Sequence, residues 1–354
     1  MPLTGKAVLI TGGTGSLGKT LVRRLLEDVD RRPRKIVVFS RDEAKHHSMR
    51  VHYATARTPG EAALALAARE CLQFRIGDVR DFHSVAGALH GIDVVIHTAA
   101  LKQVPSCEYF PSEAIATNVG GAENIVRAIR DLRLDVEAVV GVSTDKAVKP
   151  VNVMGMTKSL QERVFIAANL SCPSTRFVIV RYGNVLASRG SVVPLFHHQI
   201  LTGGPLTVTS AEMTRFLLSL DDAVDIVFSA IEHAKAGEIY VPEVASARVV
   251  DLAEQLIDGR EVEIEVIGVR PGEKIHEILV SEEEGMRAFR HSNGKIVIRP
   301  DIPEIPSSGV GQEPALGEYS SAGALMDAAQ VRKLLLSRGL MVGNDSAMKG
   351  ELLR

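Results

Sequence analysis

The feature that most constrains this chain is the run Thr11-Gly12-Gly13-Thr14-Gly15-Ser16-Leu17-Gly18. It follows four consecutive apolar residues, Ala7-Val8-Leu9-Ile10, the pattern of a strand buried on both faces of a parallel sheet. It precedes Lys19 to Leu26, whose apolar residues recur at helical spacing, and Lys35-Ile36-Val37-Val38-Phe39 supplies a second apolar run. A glycine-rich turn between strand and helix is the context in which such spacing means dinucleotide binding. Gly12 permits the tight turn, Gly15 lets a pyrophosphate approach the backbone, and Gly18 lets the helix pack closely on the strand. Thr14, Ser16 and Leu17 complete the turn, and the helix N-terminus offers N–H groups to the anion.

Further apolar runs at Gln73 to Ile76, Val94 to Ile96, Ala138 to Val140 and Phe177 to Val180 alternate with helix-like segments such as Ala114 to Arg130. The alternation predicts an α/β fold, a Rossmann-type doubly wound parallel sheet with a smaller C-terminal substrate-binding lobe. Residues 1–182, with return segments at about 217–250, are expected to form the cofactor domain, and 183–354 mainly the lobe. Between His46 and Glu70 an alanine-rich stretch broken by Pro59-Gly60 reads as helix, turn, helix. The Pro/Gly/Ser-rich stretch Pro300 to Ala322 reads as surface loop, followed by a helix around Leu325 to Ser337.

With 354 residues the chain buries a core without staples, and its 41 Lys and Arg nearly balance 43 Asp and Glu, so no nucleic-acid partner is expected. Three separated cysteines, Cys71, Cys107 and Cys172, form neither a metal-ligand spacing nor a disulfide framework, so no metal and a cytoplasmic location are expected. The opening residues lack a signal-peptide core and the length of a membrane span.

The second strand ends Phe39-Ser40-Arg41-Asp42. Ser40 and Arg41 offer a hydroxyl and a guanidinium to a ribose 2′-phosphate, with Lys45 a turn later, so NADP is the expected cofactor. Asp42 is the counter-indication, because a carboxylate facing the ribose selects NAD. Asp78-Val79, after the third strand, is placed to meet the adenine.

The chain resembles the extended short-chain dehydrogenases, and more closely the UDP-N-acetylglucosamine 4,6-dehydratases of the soluble, inverting kind. Besides Gly12 to Gly18, the likeness rests on Ser40-Arg41-Asp42-Glu43, Gly77-Asp78-Val79-Arg80-Asp81 and Ala99-Ala100-Leu101-Lys102-Gln103-Val104-Pro105. It continues in Ser143-Thr144-Asp145-Lys146-Ala147, Arg181-Tyr182-Gly183-Asn184-Val185, Met213-Thr214-Arg215-Phe216 and Arg270-Pro271-Gly272-Glu273-Lys274. The resemblance implies oxidation of the sugar at carbon 4, loss of water across carbons 5 and 6, and return of the hydride to carbon 6. Lys146 would then take the carbon-5 proton and Asp145 protonate the departing hydroxyl, which needs the lysine partly neutral and the carboxyl partly protonated. Burial favours both states and mutual ion pairing opposes them.

The family's Tyr-x-x-x-Lys reads Met154-Gly155-Met156-Thr157-Lys158 here. Lys158 keeps the cofactor-ribose role that the resemblance implies, and Ala99 and Ala100 a place beside the cofactor. Met154 stands at the tyrosine position, and a thioether removes no proton. The base for the 4-hydroxyl is left open between Asp145, Lys158 through a water, and a relay through Ser143 or Thr144; Met154 as plain core filler is equally compatible. Asn184, Val192, Arg215, Arg270, Glu273 and Lys102 are the expected contacts to a UDP-sugar, the two arginines clamping the diphosphate. Asn152-Val153-Met154-Gly155 locally resembles the retaining subclass, so the outcome at carbon 5 stays open. A 4-epimerase and a catalytically silent NADP-binding protein are the alternatives, and the family habit implies a homo-oligomer.

Overall fold

A computed structural model describes residues 2–55, 58–186, 191–306 and 317–343. Its first half alternates as expected: β1 (Ala7–Thr11), α1 (Ser16–Glu27), β2 (Lys35–Ser40), α2 (Glu43–Ala54), α3 (Pro59–Cys71), β3 (Leu72–Ile76), α4 (Phe82–Leu89) and β4 (Val94–His97). There follow α5 (Val104–Tyr109), α6 (Pro111–Ala114), a π-helical turn (Ile115–Val119), α7 (Gly120–Asp131), β5 (Ala138–Thr144), a 3₁₀ turn (Asp145–Ala147), α8 (Val153–Ser171) and β6 (Arg176–Tyr182). The second half contains β7 (Asn184–Val185), α9 (Val192–Leu201), β8 (Leu206–Val208), β9 (Thr214–Leu218), α10 (Leu220–His233), β10 (Ile239–Pro242), β11 (Ser246–Arg248) and α11 (Val249–Ile257). It ends with β12 (Ile264–Val266), β13 (Ile278–Val280), α12 (Glu282–Gly285), β14 (Ala288–Arg290), β15 (Lys295–Ile298), β16 (Tyr319–Ser320) and α13 (Ala328–Ser337). Part of the loop expected over Pro300 to Ala322 lies outside the described residues.

Among the described residues the main sheet runs β14-β15-β10-β6-β5-β4-β1-β2-β3. It is parallel from β3 to β10 and antiparallel through β15 and β14. The inner strands β1 and β4 are buried throughout because both faces are covered, whereas edge strand β3 keeps Gln73 and Arg75 exposed. Ala7, Leu9, Val95 and Val139 meet Val85, Ile125 and Phe165 of α4, α7 and α8. Val8, Ile10, Val94 and Val140 meet Leu21, Ala67 and Val224 of α1, α3 and α10 on the other face. A separate cluster joins Val193 and Phe196 of α9, Leu206 and Val208 of β8, Leu252 and Leu256 of α11, and Val331 and Leu335 of α13. That cluster is the core of the lobe.

Two local features depart from the expected pattern. The main sheet takes in β14 and β15, beyond the expected return at about 217–250, because this short hairpin closes an edge without the helical alternation that marks the other strands. The helix expected over Ala114 to Arg130 opens into the π turn. There the buried Asn118 accepts from the Leu101 N–H and donates to the Leu101 carbonyl and Thr157 Oγ1, so the wider turn serves to brace the loop after β4.

On β6, Arg181 is buried and donates to both carboxylate oxygens of Glu162 and both of Glu284. Ser143 Oγ also donates to Glu162. This pairing holds Arg181 charged despite burial, since the two carboxylates outweigh desolvation.

Candidate active site

The C-terminal ends of β1 to β5 share one edge of the sheet, and the chain reverses its order of laying down strands between β1 and β4, where open α/β sheets bind ligands. Gly12 is left-handed at φ 65°, and a Cβ there would lie 2.8 Å from the Ala99 backbone. At Gly18 a Cβ would lie 2.5 Å from Gly13, so only glycine lets α1 approach the turn this closely. Gly15 is the N-cap of α1 and no side chain caps that helix, which leaves the first-turn N–H groups for an anion. Thr14, Ser16 and Leu17 lie in this turn and the start of α1, and Ala99 N bonds Thr11 Oγ1 beside it, with Ala100 following. These residues fit the phosphate-bearing half of a dinucleotide.

At the end of β2, Ser40 Oγ lies 3.0 Å from Thr14 Oγ1 and 2.7 Å from His46 Nε2, so a buried histidine from α2 orients the expected hydroxyl. Asp42 caps α2 by accepting from Lys45 N and pairs with Lys45 Nζ at 2.5 Å. Lys45 thereby holds the Asp42 carboxyl below its ordinary range, and both side chains are spent on each other. Arg41 is exposed, 3.6 Å from Asp78. Asp78 also accepts from Arg80, and Val79 is buried in the core with its carbonyl taking Asn124 Nδ2. Val79 is thus a packing residue.

At the end of β5, Thr144 Oγ1 donates to Asp145 Oδ1 at 2.8 Å, and Lys146 Nζ reaches the same oxygen at 3.1 Å. Asp145 is fully buried, and its Oδ2 has no hydrogen-bond partner among the described residues. A Cβ at Gly183 would lie 3.2 Å from that oxygen and 2.6 Å from Phe216 Cβ, so the glycine keeps space beside the carboxyl. Burial raises the Asp145 pKa, Lys146 opposes this, and the nearby Glu277 adds to the rise, leaving the carboxyl with a raised proton affinity. Lys146 departs from the expectation that it would be partly neutral. Burial lowers its pKa, but Asp145 and Glu277, the latter at 2.8 Å, raise it above the ordinary value, so the resting side chain is an ammonium. Its side chain is 22% exposed.

Met154 sits in an apolar cluster with Cys107 and Ala114, edged by Leu101, Val104 and Val153. The structure thus makes it a packing residue, and the tyrosine position supplies no proton-carrying atom. Its neighbour Gly155 is required, because a Cβ there would lie 2.1 Å from the Lys146 carbonyl. Lys158 Nζ donates to the Val142 carbonyl at 2.6 Å and to Gln161 Oε1 at 2.5 Å. Burial pulls its pKa down to about 7, with Glu162 opposing. The ammonium expected at a cofactor ribose is therefore engaged within the chain here.

Asn184, Val192, Arg215, Arg270 and Glu273 line one cavity of 590 Å³ with Met213 and Thr207, beside the core of the lobe. Lys102 is exposed in the loop after β4 and does not line it. Asn184 Oδ1, Ser191 Oγ and Glu273 Oε2 are buried without a partner among the described residues, as groups awaiting a polar ligand would be. Asn152 Nδ2 donates to the Gly272 carbonyl, tying this loop to the start of α8.

Residues 8–299 match the family described as polysaccharide biosynthesis protein. The chain belongs to that family. It is 46% identical over 288 residues, 80% of each chain, to a protein from Rickettsia canadensis (strain McKiel) named UDP-glucose 4-epimerase. Among solved structures it is similar to Pen from Bacillus thuringiensis, with 32% identity and a TM-score of 0.85, covering 96% of this chain and all of that one. DesIV of Streptomyces venezuelae, a dTDP-glucose 4,6-dehydratase solved with NAD and DAU bound, aligns at 24% identity and a TM-score of 0.63 over 76% of this chain and 86% of its own. At that identity the likeness is one of fold.

Glu277 is the residue of this family member that sequence reasoning did not single out. It follows the Arg270 motif and precedes the apolar β13, so in sequence it looks like a solvated strand-edge glutamate. In the fold it is 2% exposed. His46 and Asn118 were likewise invisible, because each acts only through a partner brought in by the fold. Among the described residues no group of three His, Cys, Asp or Glu is placed to hold a metal, and no helix is long and apolar enough to cross a membrane.

Proposed function

We propose that the chain is a nucleotide-sugar 4,6-dehydratase acting on UDP-N-acetylglucosamine, with NADP as a recycled cofactor. The observation that carries this reading is the buried Asp145 carboxyl, paired with Lys146 and with one oxygen unpartnered among the described residues, while Lys146 shares Glu277 with the cavity-lining Arg215. Held at the turn of Gly12, Gly15 and Gly18, the cofactor would supply a hydride acceptor for carbon 4 and a donor for carbon 6. The chain's own groups handle the protons. Asp145, reached through Thr144, takes the proton of the 4-hydroxyl and later delivers it to the departing 6-hydroxyl, for which a raised proton affinity suits it. Ser143 is occupied with Glu162 and Lys158 with Val142 and Gln161, which favours the Thr144 route. Lys146, as an amine, takes the carbon-5 proton and restores one there. Arg215 and Arg270 hold the diphosphate, and Glu273 accepts from the nucleotide ribose.

NADP is favoured because Asp42 is turned into α2 and paired with Lys45, leaving the exposed Arg41 to meet a 2′-phosphate. Arg41→Ala is expected to weaken NADP binding by about 10- to 100-fold, read by calorimetry, with NAD binding little changed. Three free, buried cysteines accord with a cytoplasmic enzyme. Exposed Tyr109, Phe110, Ile115, Met156 and Leu160 on α5 to α8 accord with a homo-oligomer.

The name of the Rickettsia relative favours a second reading, a UDP-sugar 4-epimerase. Against it, epimerisation needs a base at carbon 4 alone, has no use for an acid and base at carbons 5 and 6, and finds Met154 where the tyrosine would stand. Incubation of the purified protein with UDP-N-acetylglucosamine decides between them. Loss of the mass of one water supports the dehydratase; unchanged mass with an inverted 4-hydroxyl establishes the epimerase.

A further inference from the structure

The dehydratase reading asks Lys146 to be an amine when the carbon-5 proton leaves, yet two carboxylates hold it as an ammonium. Its proton needs somewhere to go. Asp145 cannot hold it at that stage, because it already carries the proton of the 4-hydroxyl.

Glu277 is the group in position. Its Oε1 lies 2.8 Å from Lys146 Nζ and 3.9 Å from Arg215 Nε, while its Oε2 is buried with no partner among the described residues. The backbone cannot slide. Glu277 N donates to Ser321 Oγ at 2.9 Å, Ser321 N donates to the Glu277 carbonyl, and Ser321 Oγ is 2.7 Å from Thr214 Oγ1. The charged groups around it are Lys146, Arg215, Lys274 and Asp145.

We propose that Glu277 is a positioning residue acting through Lys146: it holds the ammonium at rest and takes its proton across the 2.8 Å contact, freeing the amine that removes the carbon-5 proton. The proposal rests on the dehydratase reading. The protons then balance. The 4-hydroxyl proton passes to Asp145 and leaves with the 6-hydroxyl as water, while the hydride moves from carbon 4 to carbon 6. The electron pair of the carbon 5–hydrogen bond forms the new double bond and the carbon 6–oxygen bond breaks. On hydride return Lys146 gives its proton back to carbon 5 and recovers its own from Glu277. Burial raises the Glu277 pKa, and the cation Lys146 is the chief cause holding it down. Discharging Lys146 removes that cause and makes Glu277 a better proton holder at the moment it is needed.

Glu277→Gln keeps the shape and hydrogen bonding of the side chain but cannot take a proton. With UDP-N-acetylglucosamine in deuterated water at neutral pH, water loss and deuterium entry at carbon 5 are expected to fall by about 100-fold, with KM little changed. Oxidation at carbon 4 continues, so reduced nicotinamide accumulates and is seen by its absorbance. Raising the pH should restore much of the lost rate by discharging Lys146 to solvent, and Glu277→Asp should recover part of it. Unchanged carbon-5 exchange, or a loss with neither accumulated reduced nicotinamide nor recovery at high pH, overturns the role of Glu277 while a dehydrating parent enzyme keeps the wider reading. A parent enzyme that releases no water overturns both. If Glu277→Gln fails to fold by circular dichroism, Glu277→Ala, which also lacks a proton acceptor, decides with the same readouts.

Discussion

Asp145→Asn is expected to lower turnover of UDP-N-acetylglucosamine by about 10²- to 10⁴-fold and to leave binding of UDP nearly unchanged. The substitution keeps size and burial, and the amide still accepts from Thr144. What it loses is the ability to accept a proton from the 4-hydroxyl and return it to the 6-hydroxyl. The groups expected to grip the nucleotide, Arg215, Arg270 and Glu273, line the cavity on other elements, so affinity and chemistry should separate. Single-turnover kinetics beside UDP titration calorimetry check this. Equal losses in both would mean that Asp145 supports the fold of the site rather than its chemistry.

Arg181→Met should destabilise the protein by about 3–5 kcal/mol. The guanidinium is 2% exposed at its side chain and is shared by Glu162, at 5%, and Glu284, at 12%. Methionine fills much of the volume but leaves the buried Glu162 carboxyl without its Arg181 partner. Of its hydrogen-bond donors Ser143 then remains. Because Ser143 immediately precedes Thr144 and Asp145, the loss should also loosen the catalytic turn. Urea unfolding measures the first effect as a lower midpoint with unchanged slope. The double variant Arg181→Met/Glu162→Leu should recover a large part of the loss, since it removes the stranded carboxyl.

The cofactor end of the molecule was legible because its signals are local. Apolar runs mark strands covered on both faces, and the three glycines stand where the turn, Ala99 and the Gly13 backbone leave no room for a Cβ or where α1 must stay uncapped. The Thr144-Asp145-Lys146 triplet was legible as a motif, and Asn184, Val192, Arg215, Arg270 and Glu273 converge on one cavity. What the sequence could not carry was state and partnership. Lys146 was expected to be partly neutral, but its charge depends on Glu277, which is distant in the chain. Asp42 caps α2 and pairs with Lys45, an arrangement that the run Phe39-Ser40-Arg41-Asp42 does not reveal. Met154 had two readings, and only its packing against Cys107 and Ala114 separates them. The hairpin of β14 and β15 was missed because strands this short carry no periodic signature.

The most direct test of the central claim follows one isotope. UDP-N-acetylglucosamine carrying deuterium at carbon 4 is incubated with the protein and NADP, and the product is examined by NMR. Hydride movement within one site, with Asp145 and Lys146 carrying the protons, predicts a 4-keto, 6-deoxy sugar whose carbon-6 methyl holds the deuterium. Deuterium retained at carbon 4 of a sugar that keeps its 6-hydroxyl would contradict it.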